Sequence, residues 1–318
     1  MENKVLVITP VSHINGVKDI LESFSEVTYL EEATYQEVKK EIANFDAVFT
    51  NPNKSEVFLD QTIIDKGINL KCICTASTGT NHIDKEYALE KGLPIISLTE
   101  ERDIINKIGS TAELAFALTM ASLRNLVSSH TGALKGQWDY TEFIGRQMDG
   151  ITVGVVGYGR LGKFYAHFCK SFGSKVLIYD PYVKVSEKDL LQVNDLKELV
   201  KVCDVISIHV HVTPETVQLI SSEILSVANK DIIIVNTSRG EVVDEKAVVS
   251  FLKDNQKAKL ATDVLNDEIR SKSLSPILDY AKESDQVLVT QHIGGMTREA
   301  QEIAYGHAAN LLKDFFVK

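Results

Sequence analysis

The residues able to do chemistry fall in a few short stretches of the 318-residue chain, beginning with Gly157-Tyr158-Gly159-Arg160-Leu161-Gly162. This Gly-x-Gly-x-x-Gly turn lies between a β-branched run, Ile151–Val156, and a helix-like segment, Lys163–Phe172. Gly157 can take the positive φ of a tight strand-to-helix turn, Gly159 lets the backbone approach a pyrophosphate, and Gly162 lets the helix pack closely on the strand. The N-terminus of the helix that follows, with its free N–H groups and partial positive charge, suits the same phosphates, and Arg160 and Leu161 of the turn are expected on the cofactor. Asp180 follows the next apolar run, 18 residues past Gly162, where a carboxylate can accept hydrogen bonds from both hydroxyls of a ribose. Strand, glycine turn, helix and timed acid together predict a dinucleotide site. Further reactive types recur just after other apolar runs: His209 and His211; Thr237, Ser238, Arg239 and Gly240; Asp263 to Glu268; Gln291, His292, Gly294 and Gly295.

The elements that must position these residues alternate regularly. In the first third, Val5–Ile8, Val27–Tyr29, Ala47–Phe49, Cys72–Thr75 and Ile95–Ser97 read as strands, and Gly16–Phe24, Thr34–Asn44, Ser55–Lys66 and Lys85–Lys91 carry helical spacing. Ser110-Thr111-Ala112-Glu113 has the pattern of a capping box opening an apolar helix from Leu114 to about Leu126. A glycine-punctuated arm follows, Gly132 to Gly150, holding the only tryptophan, Trp138; covering a partner subunit is one task for such an arm. The second half predicts six strands: Ile151–Val156, Val176–Tyr179, Val205–Ile208, Ile232–Val235, Leu260–Asp263 and Val287–Thr290. Strand–helix repetition of this kind implies α/β architecture with mostly parallel sheets covered on both faces. In such sheets ligands sit outside the carboxyl ends of the strands, which is where the reactive residues cluster.

Composition narrows the class. Apolar content of 44% and charged content of 25% describe a soluble globular protein with room for one or two domains. A formal charge of −10 with no basic block argues against nucleic-acid and membrane-surface partners. The opening Met1-Glu2-Asn3-Lys4 and the short apolar run after it are expected to begin a strand, not a signal peptide, and no run approaches a membrane span. Four cysteines (Cys72, Cys74, Cys169, Cys203) form no Cys-x-x-Cys pair and read as reduced buried thiols of a cytoplasmic protein.

Several segments in order resemble the D-isomer-specific 2-hydroxyacid dehydrogenases over nearly the whole chain. They are Ser77-Thr78-Gly79-Thr80-Asn81-His82-Ile83-Asp84, the glycine turn with Asp180, Thr213-Pro214-Glu215-Thr216, Asn236-Thr237-Ser238-Arg239-Gly240, Asp263 with Glu268, and His292-Ile293-Gly294-Gly295. The resemblance, closest to the phosphoglycerate dehydrogenases without their regulatory domain, implies an NAD-dependent oxidoreductase. It implies two doubly wound, Rossmann-like parallel-sheet domains with an active-site cleft between them. By analogy a discontinuous substrate-binding domain takes residues 1–102 and 293–318, the NAD-binding domain takes 103–292, and the chain pairs as a homodimer.

Oxidising a 2-hydroxy acid requires a cation for the carboxylate, a base for the hydroxyl proton and a hydride acceptor. Arg239 offers a permanently charged planar fork, and His292 can take and return a proton near neutrality. Glu268 would hold the imidazole in one orientation and favour its protonated form. The resemblance assigns these three roles to the same positions. Taken singly, Arg239 could be a surface salt-bridge partner and His292 an ordinary loop histidine. The resemblance also places Ser77, Thr78 and Gly79 on the substrate, where a plain tight turn is the alternative. Asp263 falls against the nicotinamide carboxamide, or else caps a strand. With them His209, Thr216, Thr237, Ser238, Gly294 and Gly295 are expected to line the cofactor. His13 and His82 could line the cleft or be structural.

Departures from the family pattern are His211 where proline is usual, Gln291 in place of the proline before the catalytic histidine, and Ile269 in place of the proline after Glu268. Asp180, with no Arg or Lys before Lys184, should repel a 2′-phosphate and so favour NAD over NADP. An NAD(H)-sensing, co-repressor-like binding module on the same fold is the alternative function. Which 2-hydroxy acid is used cannot be read from these residues.

Overall fold

The computed structural model describes residues 3–52, 57–268 and 274–317, and divides into two compact units, Met1–Ile108 with Gly295–Lys318, and Gly109–Gly294. In the first unit strands β1 (Lys4–Val7), β2 (Glu26–Tyr29), β3 (Ala47–Thr50), β4 (Cys72–Thr75) and β5 (Ile95–Ile96) form a parallel sheet in the order β2-β1-β3-β4-β5. The two-residue side-chain period splits its core cleanly. Val5, Val7, Phe49, Cys72 and Cys74 face Val17, Leu21 and the C-terminal helix residues Tyr305, Ala308 and Leu312, whereas Leu6, Ile8, Val48 and Ile73 face Val38, Ile63 and Ile64. Burial on both faces explains why β3 and β4 read as continuous apolar runs.

Two expectations here need correction. The helix expected over Ser55–Lys66 occupies only Gln61–Lys66, capped by the Asp60 carboxylate on the Ile63 N–H; Leu59 bridges to Ile83 instead, and Ser55 and Glu56 lie outside the described residues. The capping box expected at Ser110 is absent: the helix runs Ser110–Leu123 from an N-cap at Gly109 with no side-chain cap, and Ser110 is buried in its first turn. A capping box does form at Thr34, whose hydroxyl accepts from the Glu37 N–H while the Glu37 carboxylate accepts from the Thr34 N–H.

The second unit carries seven parallel strands: β6 (Thr152–Val156), β7 (Lys175–Tyr179), β8 (Leu191–Val193), β9 (Val205–Ile208), β10 (Ile233–Asn236), β11 (Lys259–Thr262) and β12 (Val287–Val289), ordered β12-β11-β10-β9-β6-β7-β8. Both sheets are doubly wound α/β, as the strand–helix alternation implies. β8 was not anticipated, because a three-residue, largely exposed edge strand has too short an apolar pattern to stand out. The chain runs from β6 outward to β7 and β8, then returns to β9 on the other side of β6. That reversal opens a crevice at the carboxyl ends of β6 and β9, where the glycine turn and His209 sit. The arm is partly regular: Gly132 lies inside a helix, Leu126–Leu134, and short 3₁₀ turns occupy Tyr140–Phe143 and Met148–Gly150.

Candidate active site

Each end of the cofactor turn is fixed by contact as well as conformation. Gly157 has φ 94°, and a Cβ there would lie 2.7 Å from the His209 carbonyl oxygen; one on Gly162 would lie 2.0 Å from the Gly157 carbonyl oxygen. Gly159 differs, since a Cβ on it would meet nothing within 4 Å. This glycine therefore borders open space at the N-terminus of helix Arg160–Ser171, which no side chain caps. A pyrophosphate fits that opening, with helix N–H groups as donors. Asp180 directly follows β7 and ties the turn down: Oδ2 accepts the Tyr158 N–H at 2.7 Å, and Oδ1 accepts those of Tyr182 and Val183, each at 2.9 Å. A carboxylate has about four acceptor sites, so Asp180 keeps capacity for a ribose. These residues fit a bound dinucleotide.

Three consecutive strands of the same sheet deliver the reactive groups. After β10, Asn236 winds the loop: its Nδ2 donates to the Arg239 carbonyl at 2.9 Å, and its Oδ1 accepts the Ser238 N–H and hydroxyl at 3.0 and 2.9 Å. Arg239 is partly buried, and its Nη1 donates to the Ser238 carbonyl at 2.6 Å. Burial draws its pKa down, while the carboxylates of Glu268 and Glu241 oppose that; the guanidinium remains charged. Gly240 has no room for a side chain, since a Cβ would lie 1.9 Å from the Leu265 carbonyl carbon and 2.2 Å from the Asn266 nitrogen. The loop after β11 thus rests directly on the loop after β10.

That second loop is held from beneath by Glu245, a buried carboxylate accepting from the Asn266 N–H at 2.8 Å and the Ser275 hydroxyl at 2.7 Å. It presents Glu268, whose Oε2 accepts the Leu265 N–H at 3.2 Å and whose Oε1 meets His292 Nδ1 in a short hydrogen bond. Burial pushes the Glu268 pKa up, but bonding to His292 and Leu265 and the nearby charge of Arg239 outweigh it, so the carboxyl is held below its ordinary value. The side chains of His292 and Glu268 are 18% and 17% exposed, leaving the imidazole reachable.

His292 has φ 55°, in the left-handed region, a conformation that costs of the order of 1–3 kcal/mol for a residue other than glycine. Asp263 imposes it. Its carbonyl accepts the His292 N–H at 2.8 Å, Oδ1 accepts the Thr290 hydroxyl and the Ile293 N–H at 2.5 and 2.9 Å, and Oδ2 accepts the Gly294 N–H at 2.8 Å. Asp263 is thus a strand-end clamp on the His292 turn. Sequence reading assigned no role to Asn236, which stands in a family-matching segment, nor to Thr290 or Glu245. Thr290 was signalled by its place after a strand, whereas Glu245 looks like any acid in a helix first turn.

The other expected cofactor residues are placed around this edge. The Thr237 hydroxyl is buried and has no hydrogen-bond partner among the described residues. His209 bonds the Ser207 hydroxyl through Nε2 at 2.9 Å, and burial lowers its pKa to about 3. Thr216 spends its hydroxyl on its own loop, accepting the Thr213 N–H and donating to the His211 carbonyl. A hollow of about 510 Å³ beside Asp180, lined by Pro181, Tyr182, Lys184, Gln192 and Asn194, contains neither Arg239 nor His292; polar geometry, not concavity, marks the reactive group. In the other unit, His13 is exposed and bonds Gln301 at 3.2 Å, while His82 is fully buried. Ile269 lies outside the described residues. Among the described residues no cluster of His, Cys, Asp and Glu could hold a metal, and no helix is long and apolar enough to cross a membrane.

Residues 116–294 match the model of the D-isomer specific 2-hydroxyacid dehydrogenase NAD binding domain. The chain belongs to that family. It is 34% identical over 313 residues to D-3-phosphoglycerate dehydrogenase of Methanocaldococcus jannaschii, covering 98% of this chain and 57% of that protein. It is 34% identical over 245 residues to hydroxypyruvate reductase of Thermotoga maritima, covering 75% of each. The chain spans little more than half the length of the phosphoglycerate dehydrogenases it matches. Among solved structures, Aquifex aeolicus D-lactate dehydrogenase complexed with NAD and lactic acid superposes with a TM-score of 0.78 at 28% identity, covering 98% of this chain and 95% of that one. The glycine turn and Asp180 described above accordingly lie within an NAD-binding domain of the D-2-hydroxyacid dehydrogenase family.

Proposed function

We propose that this family member interconverts a D-2-hydroxy acid and its 2-keto acid, with Arg239 binding the carboxylate and His292, paired with Glu268, moving the proton. The observation that carries the reading is the His292–Glu268 pair, with Arg239 coupled to the same carboxylate, at the edge of the sheet that bears the cofactor turn. NAD, when bound, supplies the hydride acceptor for oxidation and, reduced, the donor for reduction. Arg239 fixes the substrate carboxylate with its planar fork. Glu268 orients the imidazole through Nδ1, which leaves Nε2 to take the hydroxyl proton or return it to the ketone. Thr237, Ser238, Gly294 and Gly295 line the cofactor side, and Asp263 adds the carboxamide contact to its clamping role. Residues 1–102 and 293–318 are read as the substrate-binding domain, with Ser77, Thr78 and Gly79 donating N–H groups to the carboxylate, and 103–292 as the NAD-binding domain. The chain is assigned to the cytoplasm as a homodimer.

The test is kcat/KM against pH in both directions, over a panel of 2-keto acids that includes the three-carbon acids suggested by the relatives' names. Reduction consumes the protonated imidazole and should decline as pH rises; oxidation requires the neutral form and should rise. Absence of opposing limbs overturns the role of His292. Absence of turnover together with tight NADH binding favours the sensing module instead.

A further inference from the structure

The carbonyls of Ala76, Ser77 and Thr78 are tied into the body of their own unit, and that of Gly79 is tied to a side chain of the loop. They accept, in order, from Asn51 Nδ2 at 2.9 Å, the Leu98 N–H at 3.0 Å, the Thr99 hydroxyl at 2.9 Å and the Ser77 hydroxyl at 2.6 Å. The N–H groups of Thr78 and Gly79 donate to no other group among the described residues. A peptide carbonyl and the N–H that follows it point opposite ways, so anchoring the Ser77 and Thr78 carbonyls turns the Thr78 and Gly79 N–H groups outward, and successive N–H groups so presented form an anion-binding concavity. Three of these anchors end on the scaffold. The fourth is a side chain of the loop itself, and what fixes it lies deeper.

Ser77 Oγ is 2.8 Å from Thr75 Oγ1, which is 3.1 Å from Nε2 of His82, a side chain with no exposed surface. Counting protons sets the direction of this chain. A hydroxyl has one proton; that of Ser77 goes to the Gly79 carbonyl, so Ser77 must accept from Thr75, and Thr75 must accept from His82. We propose that His82 is a positioning residue for the substrate loop: as the Nε2–H tautomer it drives a one-way relay, His82 to Thr75 to Ser77 to the Gly79 carbonyl, that fixes the Gly79–Thr80 peptide and so locks the end of the loop whose Thr78 and Gly79 N–H groups serve the substrate carboxylate. Hydrogen bonds in such a chain polarise and strengthen one another. The backbone of His82 is fixed separately, its carbonyl accepting the Leu59 N–H at 2.9 Å, so the ring has a stationary base. The inference rests on the substrate-loop reading above for its catalytic meaning, but the relay itself does not.

Two measurements test it. In the wild-type protein with ¹⁵N-labelled histidine, NMR should show His82 as the Nε2–H tautomer with a slowly exchanging ring proton; an Nδ1–H tautomer overturns the relay whether or not the enzyme turns over. In kinetics, Thr75→Val, Ser77→Ala and His82→Leu should each raise KM for the 2-keto acid about tenfold, with kcat and KM for NADH within about twofold of wild type. His82→Gln, whose amide can donate from near the Nε2 position, should recover most of the loss. Unchanged keto-acid KM in Ser77→Ala, the most exposed site and the variant best able to fold, overturns the proposal. So does a rise in both KM values together with a fall in kcat, which marks general loosening. If the wild type reduces no 2-keto acid, the functional reading fails and the tautomer measurement decides the relay alone.

Discussion

At the scale of single residues, the proposed chemistry falls to groups whose freedom the fold has removed. Arg239 is held by its own loop, so Arg239→Lys keeps a charge but loses the planar fork. We expect kcat/KM for the keto acid to fall at least a hundredfold while NADH affinity, read by titration, changes little; near wild-type efficiency refutes the carboxylate role. His292→Ala should likewise cost about a hundredfold or more if general acid–base catalysis is lost. His209 gives a stability prediction with a definite sign. Its folded-state pKa is lowered to about 3 from 6.5, so the unfolded chain binds the extra proton between those values. Its contribution is therefore complete above about pH 6.5 and is lost as pH falls toward about 3. In His209→Gln, denaturant midpoints measured across that window should fall less steeply with acid than in wild type; identical slopes refute the burial argument.

At the scale of elements, the reactive loops are stacked through missing side chains. Gly240→Ala would drive a Cβ into the Leu265–Asn266 backbone, which cannot move without carrying Glu268 with it. We expect about 1–3 kcal/mol of destabilisation and a fall in kcat larger than that of a surface glycine such as Gly150, checked by denaturation and steady-state kinetics. Much at this scale was legible beforehand. Val5–Ile8 and Val205–Ile208 announce buried parallel strands because both faces are covered, and the positions after each strand held the candidate site residues. What escaped has a common cause: it depends on contacts distant in sequence. Leu191–Val193 becomes a strand only by pairing with β7, and Glu245 becomes a loop anchor only when Asn266 and Ser275 arrive. The Ser110–Glu113 pattern misled because Gly109 already supplies the helix start, so the serine is drawn into the buried first turn. His82 was ambiguous for the same reason, since only the folded loop brings Thr75 between it and Ser77.

At the scale of the whole molecule, two properties await measurement. Asp180, already engaged by three N–H groups, presents negative charge where a 2′-phosphate would sit. NADH should therefore be strongly preferred over NADPH in kcat/KM, and comparable values for the two overturn that. The arm exposes Leu134, Trp138, Tyr140 and Ile144, at 77%, 89%, 77% and 71%, large apolar side chains of the kind that mark an interaction surface when they are grouped. Light scattering should give twice the chain mass of 35.3 kDa, and Leu134→Asp should return it to the monomer. The position of Trp138 has an optical consequence. It is the only indole in the chain, it lies in the unit that carries the cofactor turn, and tryptophan emission overlaps the absorption of reduced nicotinamide. The protein thus contains a single-donor energy-transfer pair of its own: NADH binding should quench the indole and sensitise nicotinamide fluorescence, whereas self-association should shift the indole emission to the blue with no nicotinamide signal. Cofactor occupancy and assembly can then be followed separately in one unlabelled sample.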